Sequence, residues 1–210
     1  MKDYTEIICI IDKSGSMDAV RSDAIGGFNS FLAEQKGLPG EARLTLVLFD
    51  TQYRVVCDHE PIGDVKPLTP ATYVPGGMTA LYDAVVRSID SVGERLAGMP
   101  EEERPAHVIM VILTDGLENS STDYPGAKGA RAVRERIEHQ RSTYSWEFVF
   151  LAANQDAVLT GGEMGVAANR ASTFAADADG VQMAFARSAQ AVTSLRTSGE
   201  VSADWADDDA

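Results

Sequence analysis

The sequence predicts an α/β fold built on a doubly wound sheet, and three observations lead to it. Two short runs, Ile7-Ile8-Cys9-Ile10-Ile11 and Val108-Ile109-Met110-Val111-Ile112-Leu113, are apolar without interruption. A strand apolar on both faces belongs at the centre of a parallel sheet, where helices cover both sides. Each run ends at an aspartate, Asp12 directly and Asp115 after Thr114. Helical patterns alternate with strands along the whole chain, which implies right-handed βαβ units.

Each element has its own signal. The strand Ile7–Ile11 gives way at Asp12 to a polar turn, Lys13–Met17. From Asp18 to about Gln35, the residues Val20, Ala24, Ile25, Phe28, Phe31 and Leu32 recur at helical spacing, and Gly37, Pro39 and Gly40 close that helix. Ala42–Phe49 is a second strand, and Asp50-Thr51 turns tightly into a third over Gln52–Asp58, giving an antiparallel hairpin. Pro61–Gly77 holds Pro61, Pro67, Pro70 and Pro75 and reads as loop. A helix then opens at Met78 or Thr79, with Leu81, Ala84, Val85, Ile89, Val92 and Leu96 on its apolar face. An acidic linker, Pro100–Pro105, leads into the strand Val108–Leu113. Gly126–Ser142 is an Arg-rich amphipathic helix and Trp146–Ala152 a fifth strand. Gln155–Met164 is a short helix with Asn154-Gln155-Asp156 at its capping end. Ala171–Phe174 is a weak sixth strand, and Asp179–Arg196 is the last helix.

The bulk numbers bound the function. A chain of 210 residues, 44% hydrophobic and 24% charged, fits a globular domain rather than a disordered or fibrous segment. Its net charge of −14 argues against nucleic acid and anionic membrane as partners, since both require basic patches. One domain is expected over 1–198. An acidic tail without fixed structure is expected over 199–210, where Asp204, Asp207, Asp208 and Asp209 surround Trp205. Cys9 and Cys57 lie inside apolar or β-prone runs and read as buried thiols, with no disulfide framework. The first residues lack a signal-peptide apolar stretch, and no run approaches the roughly 18 residues of a membrane span. The expected compartment is the cytoplasm.

The chemistry lies where the polar residues fall. Ligands of open α/β sheets bind beyond the carboxyl ends of the strands. If the strands ending at Asp12 and Asp115 are neighbours, two carboxylates and a hydroxyl-rich turn face one crevice. In Asp12-Lys13-Ser14-Gly15-Ser16, Gly15 lets the turn fold tightly, and the alternating hydroxyls of Ser14 and Ser16 can point at one spot. Carboxylates and hydroxyls without histidine or thiolate suit Mg²⁺, Mn²⁺ or Ca²⁺ rather than Zn²⁺ or copper.

Three pieces carry a family resemblance. Asp12-Lys13-Ser14-Gly15-Ser16 resembles the DxSxS element of the metal-ion-dependent adhesion site (MIDAS) of von Willebrand factor A (VWA) domains. Gly76-Gly77-Met78-Thr79-Ala80-Leu81 resembles that family's middle threonine loop, and Thr114-Asp115-Gly116 its final aspartate element. Each alone is a weak signal; together, in family order and at strand ends or a helix start, they are a strong one. The match runs from about Tyr4 to Ala152, and the fold could extend to Arg196. The resemblance implies a Rossmann-like sheet in the order 3-2-1-4-5-6, with strand 3 antiparallel at an edge and helices on both faces. It implies metal ligands at Asp12, Ser14, Ser16, Thr79 and Asp115, the hydroxyls binding directly and the carboxylates directly or through water. It also implies a coordination position for an Asp or Glu carboxylate of a protein partner, such as an ATPase or an assembly client.

Two other readings compete with this metal-dependent binding module. One is a scaffold whose metal merely stiffens loops. The other is a Mg²⁺-dependent phosphohydrolase with Asp12 as nucleophile. Against catalysis, the second aspartate of the usual phosphatase pattern is replaced by Ser14, and no GxxxxGK[ST] loop or GxSxG elbow is present. Asp83, four residues after Thr79, could orient the site, cap nearby amides or serve as a plain helix-start acid. Glu118 and Asn119 read as surface-loop residues near the rim, and Asp50 as a turn residue. His59, His107 and His139 are scattered without ligand spacing and read as surface or strand-edge residues.

Overall fold

In a computed structural model, which describes residues 2–153 and 156–207, six strands form one sheet in the order β3-β2-β1-β4-β5-β6. The strands are β1 (Lys2–Asp12), β2 (Glu41–Phe49), β3 (Tyr53–Pro61), β4 (Pro105–Thr114), β5 (Glu147–Ala153) and β6 (Ala171–Phe174). β3 runs antiparallel to β2 at one edge, and every other pairing is parallel. The helices are α1 (Arg21–Gly37), α2 (Leu81–Ala97), α3 (Gly126–Tyr144), α4 (Ala157–Glu163) and α5 (Ala178–Ser198). The expected strand order and the antiparallel edge are both found.

The central strands are buried on both faces because the side chains of a strand alternate between them. Ile7, Cys9 and Ile11 enter one apolar cluster with Phe28 and Phe31 of α1 and Val192 of α5. Ile8 and Ile10 enter the other, with Val85 and Ile89 of α2 and Val133 of α3. This explains the uninterrupted apolar runs. Registering Ile11 opposite Leu113 places Asp12 and Thr114 side by side at the carboxyl edge of the sheet.

Three boundaries differ from the sequence reading. The first helix is preceded by a 3-10 turn over Gly15–Val20, so the hydroxyl turn continues directly into helix. α2 begins at Leu81, two residues beyond Thr79, because hydrogen bonds from the β4–α3 connection hold Thr79 out of the helix. The segment 199–210 was expected to be free. Among its described residues Val201 and Trp205 are buried in the core, and the indole N–H of Trp205 donates to the Asn169 carbonyl at 2.8 Å. The acid-rich composition hid an apolar pair, Val201 and Trp205, spaced to reach back onto the α1–α5 side of the sheet.

Cys9 is buried and Cys57 partly so, and both are free thiols. Burial pushes both thiols up, Cys57 to about 11, so neither is poised as a nucleophile. No helix of the described residues is long and apolar enough to cross a membrane. At the far end of the sheet from Asp12, fully buried Glu6 holds His59 Nδ1 and Arg95, each at 2.6 Å. The edge-strand placement of His59 is as expected, but its partner Glu6 gave no signal beyond being an acid in a strand.

Candidate metal centre

The site forms where β1 and β4 end. Asp12 is fully buried, and both of its carboxylate oxygens accept hydrogen bonds, Oδ1 from the Ser14 amide at 2.7 Å and Oδ2 from the Thr114 hydroxyl at 2.6 Å. The backbone carbonyl of Asp12 accepts from the Tyr73 hydroxyl at 2.6 Å. Beyond it, the Ser14 and Ser16 hydroxyl oxygens lie 3.2 Å apart, and Ser16 donates to Asp115 Oδ1 at 2.8 Å. The Thr79 side chain is buried, and its Oγ1 lies 3.2 Å from where a Cβ on Gly116 would sit. Three distant stretches therefore meet at one spot.

The 62–80 loop is fastened from two sides. Gly15 N donates to the Gly77 carbonyl at 3.1 Å and Gly76 N to the Lys13 carbonyl at 2.8 Å. Gly77 has φ +68°, and an added Cβ would come within 2.7 Å of Thr51 Oγ1, so this position needs glycine. Gly15 is different. It lacks a positive φ, and a Cβ there would meet the Gly77 carbonyl at an ordinary 3.4 Å. On the other side, Thr79 N donates to Asn119 Oδ1 at 2.8 Å, and the Thr79 carbonyl accepts from the Asn119 and Ser120 amides at 3.0 and 3.2 Å.

The electrostatics are those of two carboxylates crowded out of water. Burial raises Asp12 from 3.8 to about 6, against the lowering effect of its Thr114 and Ser14 hydrogen bonds, and Asp115 nearby adds to the rise. Burial likewise raises Asp115. Asp12 forms no ion pair among the described residues, because the adjacent Lys13 ammonium turns away to Asp50. A buried carboxylate without a cationic side chain is costly and is relieved by protonation or by a bound cation. Among the described residues no group of three or more His, Cys, Asp or Glu side chains is arranged to hold a metal ion by itself. A cation here would need hydroxyl oxygens beside the two carboxylates, and Ser14, Ser16 and Thr79 offer them, while the Thr114 hydroxyl is already given to Asp12. The donor set fits a hard divalent ion.

Solved structures decide the fold. The vWF domain of the type V pili tip protein Mfa5 from Porphyromonas gingivalis superposes with a TM-score of 0.58 at 13% identity, covering 96% of this chain and 99% of that one. The chain has the von Willebrand factor A fold. The pilus adhesin SpaC from Lactobacillus rhamnosus GG, in its open conformation, gives a TM-score of 0.62 at 14% identity over 90% of this chain and 30% of that one. A zinc-occupied MIDAS form of proximal thread matrix protein 1 from the mussel byssus gives 0.51 at 16% identity, over 87% and 46%. This chain spans less than half the length of the mussel protein. No protein-family model and no curated protein matches it.

Several residues at the site carried little sequence signal. Thr114 and Tyr73 grip Asp12 through hydroxyls that sit within an apolar strand end and a loop. Asp50 serves its turn as expected, accepting from the Gln52 amide at 2.6 Å, but it also holds Lys13. Asp83 caps amides. Its carboxylate accepts from the backbone N–H of Thr122, Asp123 and Tyr124 at 2.8, 3.3 and 2.8 Å. Glu118 is no free rim residue, since its carboxylate accepts from the Tyr82, Ser120 and Ser121 amides at 2.9, 3.0 and 2.7 Å. Asp156 caps α4 through the Val158 and Leu159 amides, while Asn154 and Gln155 lie outside the described residues.

Proposed function

We propose that Asp12, Ser14, Ser16, Thr79 and Asp115 hold one divalent cation, and that the chain uses it to bind a carboxylate of a protein partner. The observation that carries the reading is the spacing of the oxygens. Ligands 2.0–2.1 Å from Mg²⁺ in an octahedron lie about 3 Å from one another. The Ser14–Ser16 and Ser16–Asp115 oxygen separations of 3.2 and 2.8 Å bracket that value. When bound, the cation would supply a positive charge for an incoming Asp or Glu. The protein's part is to hold the oxygens, keep Asp12 dry and position Thr79 beside Gly116.

Binding rather than catalysis is favoured by the burial of Asp12. A phosphohydrolase nucleophile must reach its substrate, whereas Asp12 is fully buried with both oxygens already accepting hydrogen bonds. The first choice of ion is Mg²⁺, with Mn²⁺ or Ca²⁺ as alternatives. Because zinc occupies the MIDAS motif of the mussel protein, Zn²⁺ belongs in the same titration.

The test is a thermal melt of EDTA-treated protein with each ion added back. At a hundredfold excess over the dissociation constant, Mg²⁺ should stabilise the fold by about 2.7 kcal/mol. Asp12→Ala and Thr79→Ala should lose that gain. An undiminished gain in both variants would sink the ligand assignment. A partner released by chelation separates a binding module from a scaffold, and Mg²⁺-dependent turnover of a phosphoester would bring back the hydrolase.

A further inference from the structure

A cavity of about 530 Å³ opens at the amino edge of the sheet, where α2 and α3 end and β4 and β5 begin. The metal centre is at the opposite edge, about 20 Å away along β4 from Val108 to Thr114. Such a volume is in the range of small-molecule sites. Leu96, Val108 and Trp146, all buried, form its apolar walls, and Tyr144, 56% exposed, stands at its mouth. The Tyr144 ring meets that of His139 edge-on at 5.7 Å, so three aromatic rings border one space.

Two polar side chains of this cavity are unmet among the described residues. Trp146 is 4% exposed, yet its indole N–H makes no hydrogen bond there. Nor is that N–H sealed inside the core, so it faces open space, and the open space at Trp146 is this cavity and the shallower hollow that continues from it. A buried indole N–H ordinarily finds a partner, as that of Trp205 does in the Asn169 carbonyl at 2.8 Å. The Gln140 side-chain amide, half-buried on α3, makes no hydrogen bond there either. Gly93 of α2 leaves it room, since a Cβ at Gly93 would come within 3.3 Å of Gln140 Nε2. Ser145 ends α3 at φ +56°, a conformation that glycine or asparagine usually takes, and so sets a hydroxyl on the rim where glycine would leave none. Charge does not reach inside. The Arg104 guanidinium is turned to the carbonyls of Met99 and Ala97 at 3.2 Å each, and Glu101 is exposed.

We propose that this cavity binds a small, planar, uncharged aromatic compound carrying a hydrogen-bond acceptor, with the acceptor on the Trp146 N–H and the rings against Leu96, Val108 and Tyr144. The ring body releases water from apolar walls and stacks on aromatic ones. The acceptor meets a donor that is costly to leave unmet in a buried setting. Gln140, with a donor and an acceptor in one amide, is placed to take a second polar atom. An ionised ligand fits less well. A carboxylate would find no cationic group free inside and is repelled by a chain of net charge −14. A cation would give up its hydration against apolar walls.

The probe is coumarin, and its control is naphthalene, which has the same fused rings and no acceptor. The chain has 2 tryptophans, so a proton–nitrogen correlation spectrum shows one indole N–H signal for each, told apart with Trp146→Phe. In the free protein the Trp146 proton should exchange with water faster than that of Trp205. Coumarin should shift the Trp146 signal saturably and leave that of Trp205 in place, with a dissociation constant below about 1 mM, within reach of a compound of its size. Naphthalene should bind about fivefold more weakly, the share of one neutral hydrogen bond. Trp146→Phe keeps an aromatic wall without the donor, and should bring coumarin down to naphthalene's level, read from the Ser145 backbone amide. Ala97→Phe, on an exposed residue at the mouth, should abolish coumarin binding while the melting temperature holds. Equal affinity for the two compounds, no shift at Trp146, or coumarin binding that survives Ala97→Phe would overturn the proposal. So would a Trp146 proton as slow to exchange as that of Trp205, which would mean that the donor is already met.

Discussion

Asp12 concentrates the physics of the site in one side chain. Its carboxyl is pushed up from 3.8 to about 6 by burial, so the metal-free fold holds a proton there that the unfolded chain has already released. Stability follows proton uptake: where the native state binds more protons, the unfolding free energy falls as pH rises. Asp12 therefore adds its full contribution below about pH 4 and loses it as pH climbs through 6, a change on the order of 3 kcal/mol. Urea melts in EDTA at pH 4.5 and 7 should show this loss in the wild type and not in Asp12→Asn. Equal pH slopes in the two proteins would place the proton elsewhere. Under the metal reading the sign reverses when the ion is present, because the cation needs the ionised form and must expel that proton. Mg²⁺ affinity should then weaken by up to about tenfold per pH unit below 6, measured by titration calorimetry in two buffers of different ionisation enthalpy.

At the scale of elements, the site depends on how α2 starts. A helix begins with unpaired amides, and those of Tyr82 and Asp83 are met by Glu118 and by the Ser121 hydroxyl, while Asn119 meets the amide of Thr79 just ahead of the helix. Asp83 returns the contact by accepting three amides from the same connection. The two elements clasp each other, and the clasp fixes Thr79 opposite Gly116. Replacing Asp83 by Ala takes the acceptor from three backbone amides, two of them on exposed residues that water can reach, so stability should fall by about 1–3 kcal/mol. Mg²⁺ affinity should fall as well, since Thr79 loses its fixed setting. A urea melt in EDTA combined with a Mg²⁺ titration reads both. Lost stability with unchanged affinity would make the clasp a purely structural device. None of this was legible in the sequence beyond Asp83 itself as an amide cap. Strands, helices and the five oxygen-bearing residues follow local patterns of period 2 or 3.6 and short motifs. The clasp joins residues some 36 to 41 positions apart through ordinary acids and amides that look alike in any loop.

At the scale of the whole molecule, the sheet separates two apolar layers, and the segment after α5 closes one of them. The two apolar runs placed their strands inside a covered parallel sheet, and the strand order itself was legible only through the family resemblance. The closing segment was not, because its aspartates dominate the composition while its two large apolar residues act at long range. After α5, Gly199 turns the chain with φ +84°, and Val201 and Trp205 enter the layer that α1 and α5 share. Arg170 ties this return to the sheet, donating to the Val201 carbonyl at 2.9 Å and to Glu147 at 3.1 Å. The bulk of the indole, only 2% exposed, contributes mostly through packing, and its N–H adds one hydrogen bond to the Asn169 carbonyl. Truncating a buried tryptophan to alanine costs about 3–5 kcal/mol in a well-formed core, and Trp205, in a turn outside the helices and strands, should show about 3. Trp205→Phe keeps most of the apolar contact and gives up the N–H, so its loss should be nearer 1 kcal/mol. Urea unfolding of both variants orders the two effects. A Trp205→Ala protein as stable as the wild type would mean that the segment lies on the core without supporting it, and the domain would then end energetically at α5.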